Sequence, residues 1–479
     1  MNQASGEGMK TNSTGLSRQN ILDNFTSTET EFKRELGLWD TVMVVVGNTI
    51  GSGIFIAPAV IAATLLPNSG SLVLLIWLVG GLMMFTGALS YSELGALMPR
   101  AGGHYVFLKE GLGNLAAFLY GWTIFLVIAS GSIAFVAITF VTYLSFFVPM
   151  APALIKAIAI LTILTLTYVN YIGIKPGSIV LNLFTAFKII ALFALIAVGL
   201  ILSPANTENF LPLTGGNAPV DLTFVSTFLL ALVSALFTYG GWYNVGFVAG
   251  EIKNPRRNLP LALLIGTIIV VLIYVLTNYV YVNVLSVGSM AASKFVASDT
   301  MVKLVGRMGG AMVSVLVMLS SFGITNAIIM VSPRVYYAMS HDGLFFHSLS
   351  KVHPKYKTPA VSLGLQAVWA SVIVLVSDTF AQIMNYVVFM DWLFLGLAIY
   401  CIFVLRKKFP DAPRPYKVWG YPVTPILFIL LSATVVGNTL FRAPLESGIG
   451  VVIVLSGAPA YFFWKLSRGA KSPSGGNAT

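Results

Sequence analysis

Val46-Gly47-Asn48-Thr49-Ile50-Gly51-Ser52-Gly53-Ile54-Phe55 lies inside a long apolar run, residues 37–66. A run of that length and polarity is expected to cross a bilayer as a helix. Gly51, Ser52 and Gly53 fall near its middle, where paired glycines loosen the backbone. We read the span as a helix broken in two. Broken backbone at membrane depth is tolerated only where protein or a filled cavity satisfies it. The second half-helix would then start inside the membrane, with free N–H groups and its positive dipole end aimed at the cavity, a site for a small carboxylate. Close helix packing through small residues explains the same three positions equally well from this stretch alone.

Composition settles the broad class. The chain has 479 residues, 57% hydrophobic and only 9% charged, so it reads as a polytopic all-α membrane protein with no soluble domain. The net charge of +11 therefore has no soluble face on which to read nucleic acid. One cysteine, Cys401, excludes an internal disulfide and any cysteine-based metal site. His104, His341, His347 and His353 all read as loop residues, and no two acids share a span at helical spacing. Membrane enzyme chemistry lacks its usual constellation, and no metal or cofactor is expected. A channel would need a continuous polar stripe or a ring of carbonyls.

Apolar runs predict twelve spans, near 38–66, 72–98, 115–148, 152–171, 178–202, 224–249, 259–285, 310–338, 360–377, 380–405, 422–440 and 447–465. Alternate loops divide sharply in charge. One set carries Lys33, Arg34, Arg100, Lys109, Lys175, Lys253, Arg256, Arg257, Arg406, Lys407 and Lys408. The opposite set carries Lys294, Lys303, Arg307 and Arg442. The first set is expected to face the cytoplasm, with both termini inside. Residues 1–35 and 466–479 read as cytosolic tails, the first of them disordered.

The sixth span repeats the pattern of the first, with Phe237-Thr238-Tyr239-Gly240-Gly241-Trp242-Tyr243-Asn244 at its middle and Glu251 at its inner end. The two interrupted spans are five helices apart and so run in opposite directions. Paired broken helices in halves of opposite topology point to a transporter site at the midplane, which favours the break at Gly51 over simple packing. Carbonyls of Phe237 and Thr238 would face a ligand ammonium. A carboxylate clamp and an ammonium clamp together describe a free amino acid.

Four other polar features stand out. Lys188 sits near the middle of the fifth span, where an ionisable group costs roughly 2.5–3.5 kcal/mol unless it finds a partner; it can take the place of a coupling sodium. Glu93 lies near the inner end of the second span, as part of an inner gate or solvated by headgroups. Ser320, Ser321, Thr325 and Asn326 either line the cavity or bond back to their own helix. Asp391, in the tenth span with Asn385 and Trp392, is a proton site or a counter-charge at a watery vestibule.

These residues resemble a known family. Gly51-Ser52-Gly53-Ile54-Phe55, Glu93-Leu94-Gly95, Pro99 and Ala101-Gly102-Gly103 look like the signature of the amino acid–polyamine–organocation (APC) superfamily. Phe237-Thr238-Tyr239-Gly240-Gly241-Trp242, Glu251, Asn254-Pro255 and Asn258-Leu259-Pro260 are similar to its L-type amino acid transporter (LAT) branch. Asn385-Tyr386, Trp392 and Arg414-Pro415 extend the likeness, which covers about 36–465. The resemblance implies the LeuT-type fold: inverted repeats over 36–202 and 224–405, with two added helices over 422–465. It implies sodium-independent amino acid exchange across a plasma membrane, here a bacterial inner membrane.

The site follows by the same resemblance. The substrate carboxylate would meet Gly51, Ser52 and Gly53, and the ammonium would meet carbonyls of Thr49, Ile50 and Phe237. Phe237 would form a lid, and Gly240 would leave room for the side chain. The side-chain pocket would draw on Gly240, Asn244, Ser321, Thr325 and Asn385, and neutral amino acids are expected. Lys188 matches the family's fifth-helix lysine. Two departures matter. No cysteine occurs near residues 146–152, so no disulfide-linked glycoprotein subunit is expected, though a homodimer is compatible. Asp391 replaces an uncharged residue, which keeps proton symport open as an alternative, ahead of polyamine or cationic amino acid carriage.

Overall fold

The computed structural model describes residues 30–66, 70–145, 147–203, 206–210, 221–293, 295–376, 380–442 and 444–469, with side chains except at 380–386, 446 and 466–469. Among them are eleven helical segments long and apolar enough to span a bilayer. A further apolar helix, Ala360–Val376, has 17 residues, the short end of the spanning range. No strand occurs among the described residues. The nearest approach is one parallel bridge, Leu36 to Ile252.

In chain order the helices are α1 (Leu38–Thr49), α2 (Gly53–Leu65), α3 (Gly70–Leu97), α4 (His104–Leu112), α5 (Asn114–Thr123), α6 (Ala129–Leu144), α7 (Pro152–Tyr171), α8 (Ile174–Leu202) and α9 (Leu222–Thr238). There follow α10 (Pro255–Val284), α11 (Val287–Ala292), α12 (Val296–Val305), α13 (Arg307–Val331), α14 (Pro333–His341), α15 (Ala360–Val376), α16 (Phe380–Lys408), α17 (Val423–Arg442) and α18 (Pro444–Gly469). The first span is α1 plus α2. The sixth is α9 followed by a 3-10 segment, Trp242–Glu251. The third is α5 and α6 joined by one π-helical turn, Ile124–Ile128.

The chain departs from the expected map in four places. The eighth span bends at Ser332, because Pro333 cannot donate to the ladder. The third span ends at Leu144. The short helices α11 and α12 fill the connection before the eighth span; they are too short for a spanning pattern, and Asp299 and Lys303 punctuate α12. Finally, the packed chain begins before residue 36. Phe32 and Leu36 are buried, and the Glu35 and Leu36 amides both donate to the Glu251 carbonyl at 3.0 Å. The polar residues around them hid this attachment.

Burial separates core from perimeter. In the most apolar stretch of the first span 78% of residues are buried, against 22% in α7. α10 runs along both α1 and α3, and α13 packs on α6 and α8. At the end of the molecule rich in Arg and Lys, ion pairs tie the spans together. Glu251 and Arg334, both fully buried, bond through two nitrogens at 2.7 and 3.2 Å. Glu93 accepts from Arg406 at 2.9 and 2.6 Å and from the Val418 amide at 2.9 Å, with Arg414 at 3.5 Å. It is 2% exposed, so the headgroup-solvated reading does not hold.

Removing one partner of a buried pair strands the other charge, whereas an exposed pair contributes little. We expect Arg334→Ala to destabilise the detergent-solubilised protein by about 3–5 kcal/mol. Lys175→Ala, whose partner Asp40 lies 3.2 Å away with the lysine half-exposed, should cost under about 1 kcal/mol. Thermal unfolding of both variants against the parent checks the ranking.

Candidate functional site

The first span stops at Thr49 because Ile50 turns extended (φ −74°, ψ 102°), and helix resumes at Gly53. A helix end leaves carbonyls without intrahelical partners; here most find other donors. Ile50 N–H donates to Val46 O at 2.8 Å. Lys188 Nζ, fully buried, donates to Gly47 O at 3.0 Å and to Ile50 O. The Tyr274 hydroxyl lies 2.9 Å from Thr49 O and 3.1 Å from Thr238 O, bridging the two breaks. Asn48 and Thr49 bond back to Val44 O and Val45 O, each at 2.8 Å.

The sixth span breaks at Tyr239–Gly241, where Gly240 N–H turns back to Phe237 O at 3.0 Å. Gly241 adopts φ +92°, and a Cβ there would sit 2.3 Å from Asn48 O. Glycine is required by both conformation and contact. A Cβ on Gly53 would lie 2.7 Å from Thr238 Oγ1. The two breaks therefore touch.

Between them lies a cavity of about 100 Å³. Its polar lining includes Asn48, Thr49, Ser52, Tyr243, Asn244 and Asp391, and Gly51, Gly53, Phe237, Thr238 and Gly240 also line it. The N-terminus of α2 and the C-termini of α1 and α9 converge here, so partial positive and partial negative ends face one space. Phe237 meets Phe135 edge-on at 6.3 Å. Tyr243 donates its hydroxyl proton to Asp391, the partner that sequence left unnamed. Asn244 donates to Asn48 Oδ1 at 3.3 Å.

Several expected residues lie elsewhere. Ile50 does not line the cavity, and its carbonyl faces Lys188. Ser321 and Thr325 are buried away from the cavity, and Thr325 bonds back to Ser321 O at 2.8 Å. Ile324, Ile328 and Ser332 line it instead; at four-residue intervals they share one face of the span, beside the face that carries Ser321 and Thr325. The side chain of Asn385 lies outside the described residues. His104 is no loop residue: it opens α4, is buried among Tyr91, Tyr120 and Tyr243, and its Nδ1 lies 3.1 Å from the Tyr120 hydroxyl. Burial pushes its pKa down to about 3, so the ring is neutral. Tyr274 escaped sequence reading because it is one of three tyrosines in an apolar span, with Tyr279 and Tyr281, and nothing in the spacing singles it out.

Two interrupted spans meeting over a shared polar cavity, in an all-helical membrane chain, define the architecture of a secondary transporter. The chain belongs to the amino acid permease family, whose profile matches residues 36–458. It is 35% identical to the large neutral amino acids transporter small subunit 2 of Mus musculus, over 90% of this chain and 82% of that one. It is 31% identical to the serine/threonine exchanger SteT of Bacillus subtilis, over 91% of this chain and 98% of that one. It is 32% identical to the human cystine/glutamate transporter, over 91% and 86%.

Tyr274→Phe leaves two buried carbonyls without their shared donor, a loss of about 1–3 kcal/mol. We expect a lowered thermal midpoint in detergent. Gly241→Ala should be more damaging, since its methyl group collides with backbone.

Proposed function

We propose that this protein exchanges neutral amino acids across a plasma membrane by alternating access, without sodium. The observation that carries the reading is the convergence of opposite helix ends on one cavity. The N–H groups at Gly51, Ser52 and Gly53 take the substrate carboxylate. Carbonyls at the C-termini of α1 and α9, those of Thr49 and Phe237 first, take the ammonium. Each keeps a second lone pair for it. Lys188 provides the fixed cation that would otherwise have to be a bound sodium. Phe237 covers the pocket, and Asn244 and Thr238 contribute to its wall.

The cavity is small, about 100 Å³, and its lining among the described residues carries no lysine, arginine or histidine, which agrees with a compact neutral substrate. The names of the relatives, which span exchange and neutral amino acids, agree with the class. We place both termini in the cytoplasm, beside the Arg- and Lys-rich loops. We assign two inverted repeats over 36–202 and 224–405, with Ala360–Val376 as the ninth of twelve spans and α17 and α18 added outside the repeats. The Glu93–Arg406 and Glu251–Arg334 pairs then form an inner gate. We expect no disulfide-linked subunit, since Cys401 is buried.

One observation favours a second reading. Asp391 lines the cavity, and its partner among the described residues is a tyrosine hydroxyl, not a cation. A carboxyl so placed can carry a proton with the substrate, which is proton symport.

Proteoliposome efflux separates the readings. For an exchanger, release of labelled amino acid needs unlabelled amino acid outside and ignores both sodium and a pH gradient. Equal release into amino-acid-free buffer would remove exchange. Acceleration by an acid gradient, abolished in Asp391→Asn, would establish symport. Gly53→Val, which drives a branched side chain into Thr238, should abolish uptake while leaving the protein in the membrane.

A further inference from the structure

The third span supplies the cavity wall that faces away from the two breaks, through Ile124, Ile128, Ala129, Ser132, Phe135 and Val136. Ile124 and Ile128 are the first and last residues of the π-helical turn Ile124–Ile128, and Ala129 caps it. Its i→i+5 closure, with Ala129 N–H donating to Ile124 O, acts as one residue inserted in the helix. Loss of that insertion would rotate Ser132, Phe135 and Val136 by about 100° relative to Ile124. The register between the two parts of this wall therefore depends on that single irregular turn.

A π-turn is less favourable than the α-helix around it and needs outside support. Two contacts from one residue provide it. Trp369 Nε1 donates to Leu126 O, inside the turn, at 3.0 Å. Its ring stacks on Phe125, centroids 6.2 Å apart and 29° between planes. Trp369 belongs to α15, and it is not among the cavity-lining residues. Phe125 is held on its other edges by Tyr336 at 5.2 Å and Phe345 at 5.9 Å.

We propose that Trp369 is a positioning residue for substrate selection: its indole N–H holds the π-turn open and so fixes the wall against which the substrate's side chain lies. The proposal rests on the exchange reading above for its functional half. It explains why a helix outside the site carries a tryptophan aimed at a carbonyl of another span. It also gives α15 a route to the pocket that touches neither backbone clamp.

Trp369→Phe keeps an aromatic ring on Phe125 and removes the donor. Two measurements on the full chain test it. In proteoliposomes we expect KM to rise roughly 3- to 10-fold, as for one lost hydrogen bond, with maximal rate kept within about twofold. The ranking of alanine, serine, valine and leucine as competitors should change. Trp369→Gln, which restores an N–H donor, should move KM and ranking back toward the parent. Independently, amide hydrogen exchange at residues 127–131 should speed up by roughly tenfold in Trp369→Phe, because a lost pin of this size shifts a local opening equilibrium by that much. Unchanged KM, ranking and amide exchange, or a fall in maximal rate alone, would overturn the proposal. If the parent exchanges no amino acid at all, the exchange reading fails, and amide exchange still decides whether Trp369 holds the turn.

Discussion

A helix broken at the middle of a membrane exposes carbonyls that water cannot reach, and each must find a donor from another part of the protein. In this chain Lys188 and Tyr274 are those donors for the first span. The magnitudes favour the arrangement. A lysine at that depth costs roughly 2.5–3.5 kcal/mol. Two hydrogen bonds from a charged group return about 1.5–3 kcal/mol each, and the negative end of α1 adds to them. The ammonium of Lys188, bonded to Gly47 O and Ile50 O, is therefore held in place by the break that it also permits.

The same reasoning extends to the coupling of the two breaks. Tyr274 reaches Thr49 O and Thr238 O together, so α10 holds the end of α1 against the end of α9. Glycine makes the contact close enough: Gly241 lies over Asn48 O, and Gly53 lies against Thr238. At the Arg- and Lys-rich end, other links join the same elements to different neighbours. The sixth span ends in Glu251, which bonds Arg334 of α14 and accepts the amides of Glu35 and Leu36. The second span ends in Glu93, which bonds Arg406 of α16. On the reading of these pairs as an inner gate, opening toward that end would separate them, whereas the linkage at the breaks can stay intact.

What sequence revealed followed from strong, simple signals. Length and polarity located the spans to within a few residues, and glycine pairs located both breaks. A lone lysine and a lone aspartate in apolar runs marked Lys188 and Asp391, because charge at that depth needs a reason. The partners of those residues were not legible. Lys188 bonds to backbone, which carries no side-chain signal, and Asp391 bonds to Tyr243, nearly 150 positions earlier in the chain. Thr325 misled because a hydroxyl on a helix can bond its own ladder and needs no cavity, and Ser321 is buried beside it on the same face. The π-turn left no trace in the sequence, since Ile124, Ile128, Ser132 and Val136 keep the four-residue interval of an ordinary helix face.

A site built in this way divides its labour between backbone and side chains. On the reading proposed above, the groups common to all amino acids meet helix ends, whose geometry is fixed by glycine and by buried donors. The part that differs among amino acids would meet the rest of the lining, Ile124, Ile128 and Asp391 among it. The named relatives differ in the amino acids in their names while sharing about a third of their residues with this chain. Such divergence is what this division permits, since selectivity can shift through the wall alone. Asp391 is the most consequential choice on that wall. A buried carboxylate is costly unless paired, and its described partner is one hydroxyl, so Asp391 is where a proton or a substrate's cationic side chain would be met.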